Sequence, residues 1–278
     1  MFGKKKQAED PQNYIIRKEY KKAIDIYRER LKAQPGDTNL RLALADALLA
    51  NSQVAEALRE YRELAAKYTE EHFILKAVAI YKKMLKIRPD MKDVEKLLTG
   101  LSEQQEEEEV QIASGDPEVF EVMDSDSDSD VATVETNQQQ GLLKELSPEE
   151  FKQFVARLTL RHFEKDAVIV KEGEPGNSFF IIVRGSVRAI TKGPKQKEIV
   201  LGNLGEGDFF GEVSLLTGKP RTATIITTAA SDFLELTRAD YESITKKYPR
   251  IKQIMQELHE QRAMEAVRVI KKSYREGA

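Results

Sequence analysis

With 278 residues, 40% of them hydrophobic and 33% charged, the chain can build two packed domains with solvated surfaces. It has no cysteine, which excludes disulfides, thiol nucleophiles and cysteine-ligated zinc, and its histidines at 72, 162 and 259 are too far apart in sequence to suggest a metal cluster. We therefore expect neither a metal cofactor nor an enzyme, and the lack of a long apolar run or an apolar leader favours a cytoplasmic protein without a membrane segment.

Residues 10–102 are predicted to form an array of helices built on an internal repeat. A small residue is followed four positions later by a tyrosine, and the step from the first such pair to the second is 34 residues. This step and these residue types resemble tetratricopeptide repeats, in which pairs of helices stack side by side. The repeated sets are Ala23, Tyr27 and Pro35; Ala57 and Tyr61; and Ala77, Tyr81 and Pro89.

The spacing also indicates a shortened array. Because the step from Ala57 to Ala77 is only 20 residues, a helix from residue 54 to about residue 68 should close one unit and open the next. We expect five or six helices, with the tyrosines packed between them. Such an array offers a concave face to a partner protein; the alternative is a stacking scaffold without a ligand of its own.

An acidic segment separates this array from the rest of the chain, although the net charge is only −3. Residues 103–140 hold 13 acidic residues and no basic one, and they lack the apolar periodicity that could offset the entropy of ordering them. Residues 103–146 are therefore predicted to be a disordered tether.

Two other interpretations of the acidic segment stay open. One is a docking role, either for residues 119–123 or for the acidic run folded back on the basic array. The other is a calcium loop, in which Ser129 stands where a glycine is required. Its ligands would be Asp124, Asp126, Asp128, Asp130 and Glu135.

The second domain, residues 147–247, has a clear N-terminal signal. Ser147 can cap a helix that begins with Pro148, and Glu150 completes a capping box. From Arg161 to Thr237, short apolar or alternating runs are separated by glycine turns, which is typical of a β-roll. The runs are residues 168–170, 179–183, 199–201, 222–227 and 233–236.

Near residue 210 one carboxylate and one guanidinium flank a short loop. Gly211 lets the backbone approach a ligand closely, and residues 213–216 are predicted to form one helical turn whose first N–H groups attract an anion. Arg221 could take a phosphate in a charge-assisted contact of about 1.5–3 kcal/mol, while Glu212 could accept hydrogen bonds from a sugar hydroxyl. The alternative is that Glu212 and Arg221 merely pair with each other and that Gly211 serves only a tight turn.

Residues 147–272 resemble the cyclic-nucleotide-binding domains of catabolite activator proteins and of cyclic-AMP-dependent kinase regulatory subunits. The segments that carry the resemblance are 172–187, 207–209 and 210–224. The resemblance implies that Glu212 holds the ribose 2'-hydroxyl and that Arg221 holds the cyclic phosphate. The other ligand-binding residues that it implies are Gly211, Val213, Ser214, Thr222 and Ala223.

Thr222 bears on the choice of base. In this family, members that bind cyclic GMP often carry threonine at this place, whereas the kinase regulatory subunits usually carry alanine. Bacterial members often have serine or threonine there without a preference for cyclic GMP. We therefore favour cyclic AMP over cyclic GMP as the ligand.

The chain after the β-roll is predicted to be helical. Residues 238–247 form one helix, and residues 248–274 form a longer one that the resemblance assigns as lid and output helix. Arg262 and Glu265 interrupt a strict coiled-coil seam, so homodimerisation through this helix stays open. Its apolar face consists of Ile251, Ile254, Met255, Leu258, Ala266, Val269 and Ile270.

Together these features predict an α+β multidomain chain, with a tetratricopeptide-like helical array, an acidic tether and a β-roll (jelly-roll) cyclic-nucleotide-binding domain with flanking helices. The predicted function is that of a bacterial-type cytoplasmic sensor and adaptor, in which nucleotide occupancy alters engagement of a protein partner by the array. One alternative is a structural scaffold whose β-roll binds no nucleotide. Another is a transcription regulator, but without a recognisable helix-turn-helix or a net basic charge we do not expect DNA as a partner.

Overall fold

The chain divides into two compact units, Met1–Leu98 and Thr99–Ala278. The computed structural model describes residues 10–101, 141–193 and 197–260. Residues 103–140, and with them the calcium-loop and docking interpretations, lie outside the described residues. The predicted fold class, a helical array followed by a β-roll with flanking helices, is confirmed.

Up to residue 101 the described chain is helical, and consecutive helices from α1 through α5 pack against each other. Asp37 shows how such a helix begins, because its carboxylate accepts from the N–H groups of Asn39 and Leu40, both at 2.9 Å. The described helices number six, in agreement with the prediction. They are α1 (Pro11–Ile16), α2 (Tyr20–Ala33), α3 (Thr38–Ala50), α4 (Val54–Glu70), α5 (Ile74–Ile87) and α6 (residues 92–101).

The repeat positions form the core of the array. Its alanines and tyrosines are buried on the faces that meet neighbouring helices: Ala23, Tyr27, Ala57, Tyr61, Ala77 and Tyr81. α4 is one continuous helix that packs against both α3 and α5, and its second half buries Leu64, Ala65 and Tyr68. It therefore serves two neighbours, as the shortened step of 20 residues predicts.

The second unit contains two four-stranded antiparallel sheets, with strand orders β1-β8-β3-β6 and β2-β7-β4-β5. Side chains from both sheets meet in one core, where Phe180, Phe210 and Phe233 face Val187 and Ile225. The strands are β1 (Thr159–Phe163), β2 (Val168–Val170), β3 (Ser178–Arg184), β4 (Val187–Lys192), β5 (Glu198–Leu204), β6 (Phe209–Phe210), β7 (Thr224–Thr227) and β8 (Ser231–Thr237).

Helices flank these sheets, and a short one that the sequence analysis did not predict precedes the helix that begins at Pro148. Leu142, Leu143 and Leu146 are buried in and after α7, so the predicted tether ends before residue 141 rather than at 146. The capping box of α8 is confirmed: Ser147 N–H donates to Glu150 Oε2 at 3.0 Å. The helices are α7 (Gly141–Lys144), α8 (Pro148–Arg157), α9 (Glu212–Thr217), α10 (Arg238–Lys247) and α11 (residues 249–260).

The predicted lid helix is described only in its first part. Within α11, Ile251, Ile254 and Met255 are at most 5% exposed, as their place on the predicted apolar face requires. The part of the prediction that concerns residues 261–274, including the interrupted seam, lies outside the described residues.

Candidate ligand-binding site

The candidate site is built around α9, a helix of 6 residues between two glycines in the left-handed region. Gly211, with φ of 88°, precedes the helix, and Gly218, with φ of 70°, ends it. A β-carbon on Gly211 would lie 2.5 Å from Arg221 Nη1 and 2.8 Å from the Ser178 carbonyl oxygen. Both its backbone conformation and the close approach of Arg221 therefore require glycine at this position.

Hydrogen bonds hold both the side chain and the backbone of Arg221. Its Nη1 donates to the Gly211 carbonyl at 3.0 Å, and its Nη2 donates to Ser178 Oγ at 3.0 Å. Its backbone N–H donates to the Glu174 carbonyl at 2.8 Å, and its own carbonyl accepts from Gly173 N–H at 2.9 Å. The guanidinium thus has a fixed position between the start of α9 and the start of β3.

The charge of Arg221 is nevertheless not neutralised at close range. The residue is only 6% exposed, yet among the described residues no carboxylate oxygen lies within 4.0 Å of its guanidinium. Burial lowers the pKa of Arg221, and Glu212 opposes this effect from a longer distance. The alternative in which Glu212 and Arg221 form an ion pair is therefore wrong, and a buried cation of this kind favours an anionic ligand.

Glu212, the first residue of α9, is 7% exposed and points its carboxylate elsewhere. Its Oε1 lies 3.4 Å from Nδ1 of His259, which comes from α11. The sequence gives no sign of this contact, because 47 residues separate the two side chains. Glu212 and Arg221 thus lie close together in sequence, but the carboxylate contacts His259 whereas the guanidinium contacts Gly211 and Ser178.

The other predicted ligand residues have unequal environments. Ser214 is 1% exposed, Val213 is partly buried, and Thr222 is exposed. Ala223 packs against the core between the sheets, immediately before the start of β7. Strand β7 begins at Thr224, so Thr222 precedes it instead of opening it as predicted. The roles of these four residues in ligand binding stay predictions.

Arg238, which the sequence analysis did not single out, ties the site to α10. Its Nη2 donates to the carbonyls of Ser214 at 2.7 Å and Gly176 at 2.8 Å, and its backbone N–H donates to the Asn177 carbonyl at 2.8 Å. The partners are 24 and 62 residues away in sequence, so no local pattern could have indicated them. The first residue of α10 thereby holds α9 and the loop before β3 together.

The described residues contain neither a candidate metal site nor a candidate membrane-spanning helix. No group of three or more histidine, aspartate or glutamate side chains there could hold a metal ion. Nor is any of the helices described in the structure both long and apolar enough to cross a membrane.

Comparison with known proteins agrees with the resemblance seen in the sequence. Residues 160–248 match the family model described as a cyclic nucleotide-binding domain, and residues 14–73 match a tetratricopeptide-repeat model. Both parts of the predicted resemblance are therefore confirmed.

Individual relatives match part of the chain. A cyclic nucleotide-gated potassium channel of Mesorhizobium japonicum is 35% identical over 113 residues, which are 41% of this chain and 30% of the channel. A cAMP-dependent protein kinase regulatory subunit of Mycosarcoma maydis is 37% identical over 91 residues, 33% of this chain and 17% of the subunit. The chain thus spans less than a third of the length of either relative.

Among solved structures, the catabolite activator protein of Thermus thermophilus is similar with a TM-score of 0.44 and 27% identity. The similarity covers 47% of this chain and 62% of that one.

Proposed function

We propose that the second unit is a sensor that binds a cyclic nucleotide, with Arg221 on the cyclic phosphate and Glu212 on a ribose hydroxyl. The observation that carries this proposal is the buried guanidinium of Arg221, which lies in a fixed position without a carboxylate within 4.0 Å among the described residues. A phosphodiester would supply the missing charge through charge-assisted hydrogen bonds.

The remaining contacts are those that the family resemblance implies. Gly211, Val213 and Ser214 would present backbone groups to the phosphate and ribose, and Thr222 and Ala223 would border the base. The match to a cyclic nucleotide-binding domain over residues 160–248 supports this arrangement. Such domains are regulatory, so we propose a sensor and not an enzyme.

We further propose cyclic AMP as the preferred ligand. A relative at 37% identity bears the name of a cAMP-dependent kinase subunit, which supports this choice. The hydroxyl of Thr222, an exposed residue, is the feature that could favour guanine instead. If that hydroxyl selects the base, Thr222→Ala would weaken cyclic GMP binding and leave cyclic AMP binding unchanged.

For the whole chain we propose an adaptor located in the cytoplasm, in which nucleotide occupancy changes how the array engages a protein partner. The tetratricopeptide match over residues 14–73 supports a protein-binding array, since stacked helices of this type present extended surfaces to peptides and helices. The alternative is a scaffold that binds no nucleotide. It predicts that replacing Arg221 does not change partner binding.

Calorimetric titration of cyclic AMP and cyclic GMP tests the proposed ligand. We expect binding to the intact chain that Arg221→Ala weakens by about tenfold to a hundredfold, because one charge-assisted contact contributes about 1.5–3 kcal/mol. Arg188→Ala serves as the matched control, since Arg188 is exposed on β4. Thermal unfolding of each variant checks that the second unit is still folded. No binding by the intact chain, or equal losses in both variants, would contradict the proposal.

A further inference from the structure

His259 covers the carboxylate that the proposed nucleotide would need. Its Nδ1 lies 3.4 Å from Glu212 Oε1, and the side chains of His259 and Glu212 are 25% and 10% exposed. An ionised carboxylate only accepts hydrogen bonds, so the histidine tautomer that completes this contact carries its proton on Nδ1. The contact joins the last described turn of α11 to the first residue of α9.

The packing of α11 explains why His259 occupies this place. Ile251 and Met255 are 0% and 1% exposed, and Ile254 is 5% exposed. His259 follows Met255 by four residues and therefore lies on the same side of the helix, one turn further along. The helix is thus anchored by its apolar side chains while its described end rests on Glu212.

A ribose hydroxyl held by Glu212 and the His259 ring would approach the same carboxylate. An O–H···O hydrogen bond needs a separation of about 2.7 Å, whereas the ring already lies 3.4 Å from one carboxylate oxygen and only 10% of the Glu212 side chain is open to solvent. While the ring stays where it is, it occupies the approach to Oε1, and little of the remaining Glu212 side chain is accessible to a sugar.

We infer that His259 competes with the nucleotide ribose for Glu212, so that the contact between them, the His259 latch, lowers nucleotide affinity until α11 shifts. This inference rests on the proposed function, and it adds a residue that sets the affinity of the site. It also gives the nucleotide differential affinity for two positions of α11, which is what a ligand needs in order to move a helix.

The latch predicts a gain of affinity on mutation. His259→Ala should tighten cyclic AMP binding to the full chain by roughly threefold to tenfold, the range expected for removing one modest competing hydrogen bond. His259→Asn keeps a donor near the position of Nδ1 and should stay close to the wild-type affinity. Gln256→Ala, at an exposed position of the same helix, is the matched control and should change nothing.

A double-mutant cycle tests whether the effect passes through Glu212. In a Glu212→Ala background, His259→Ala should no longer alter the affinity for cyclic AMP. Unchanged or weaker binding in the single His259→Ala variant would overturn the inference, and so would an equal gain in both backgrounds.

The outcomes also separate this inference from the proposed function. If the intact chain binds cyclic AMP and His259→Ala binds it no better, the latch is refuted and the sensor stands. If neither variant binds any cyclic nucleotide, the proposed function fails, and the latch fails with it.

Discussion

The contacts of Arg238 predict that α9, the loop before β3 and α10 behave as one piece. Replacing Arg238 by methionine keeps an apolar stem of similar length but removes the Nη2 hydrogen bonds to the carbonyls of Ser214 and Gly176 at 2.7 and 2.8 Å. Bonds from a charged donor contribute about 1.5–3 kcal/mol each, and two such bonds from one group are not additive. We therefore expect the unfolding free energy of the second unit to fall by about 3 kcal/mol.

Hydrogen exchange followed by mass spectrometry can assign this loss to its segments. In Arg238→Met we expect faster exchange in residues 173–178 and 212–218, because these segments lose their common tie. Arg161→Met is the control: Arg161 pairs with Glu235 at 2.6 Å but is 52% exposed, and such surface pairs contribute about 0–1 kcal/mol. Equal losses of stability in the two variants, with unchanged exchange at 212–218, would refute the reasoning.

Two further predictions concern the second unit. Gly176→Ala should lower the unfolding free energy of this unit by about 1–3 kcal/mol in urea, because a β-carbon there would lie 2.2 Å from Ser214 Cβ. Gly205→Ala is the control and should be tolerated, since nothing lies within 4 Å of the added carbon. Similar urea midpoints for the two variants would contradict the close approach of Gly176 and Ser214. The hydrogen bond with Asp232 raises the pKa of the His162 ring. The contribution of this contact to the stability of the second unit should thus be complete below the pKa of the unfolded state, about 6.5, and be lost as the pH rises through the raised pKa of the folded state. NMR titration should show that the pKa of His162 returns towards about 6.5 in Asp232→Asn. An unchanged pKa of His162 in this variant would contradict the role of Asp232.

The elements with strong local signals were predicted well from the sequence. Ser147 and Glu150 form the capping box that their spacing indicates, and the paired alanines and tyrosines of the array are buried as their repeat requires. β3 is buried along its whole middle, which explains why it appears in the sequence as a continuous apolar run. In these cases the periodicity of a few neighbouring residues decides the structure.

Other features depend on tertiary contacts and left no such signal. β1 alternates weakly and is largely exposed, and β6 has only 2 residues, so neither stands out as a strand. Leu142 and Leu143 follow a polar, acidic stretch, and only their packing shows that the folded unit already includes them.

The candidate site divides in the same way. Gly211, Glu212 and Arg221 lie within 11 consecutive residues, and a local motif was enough to find them. Arg238 and His259 reach the same site from α10 and α11, and their partners are distant in sequence. Only the fold brings these side chains to α9.

The most direct test of the central claim compares cyclic AMP with adenosine, which has the same base and sugar but no phosphate. If Arg221 holds the cyclic phosphate, the intact chain should bind cyclic AMP at least a hundredfold more tightly than adenosine, and Arg221→Ala should reduce this preference by about tenfold or more. Calorimetric titration gives both ratios. An intact chain that binds the two ligands equally, or a preference that survives in Arg221→Ala, would contradict the assignment of Arg221 to the phosphate.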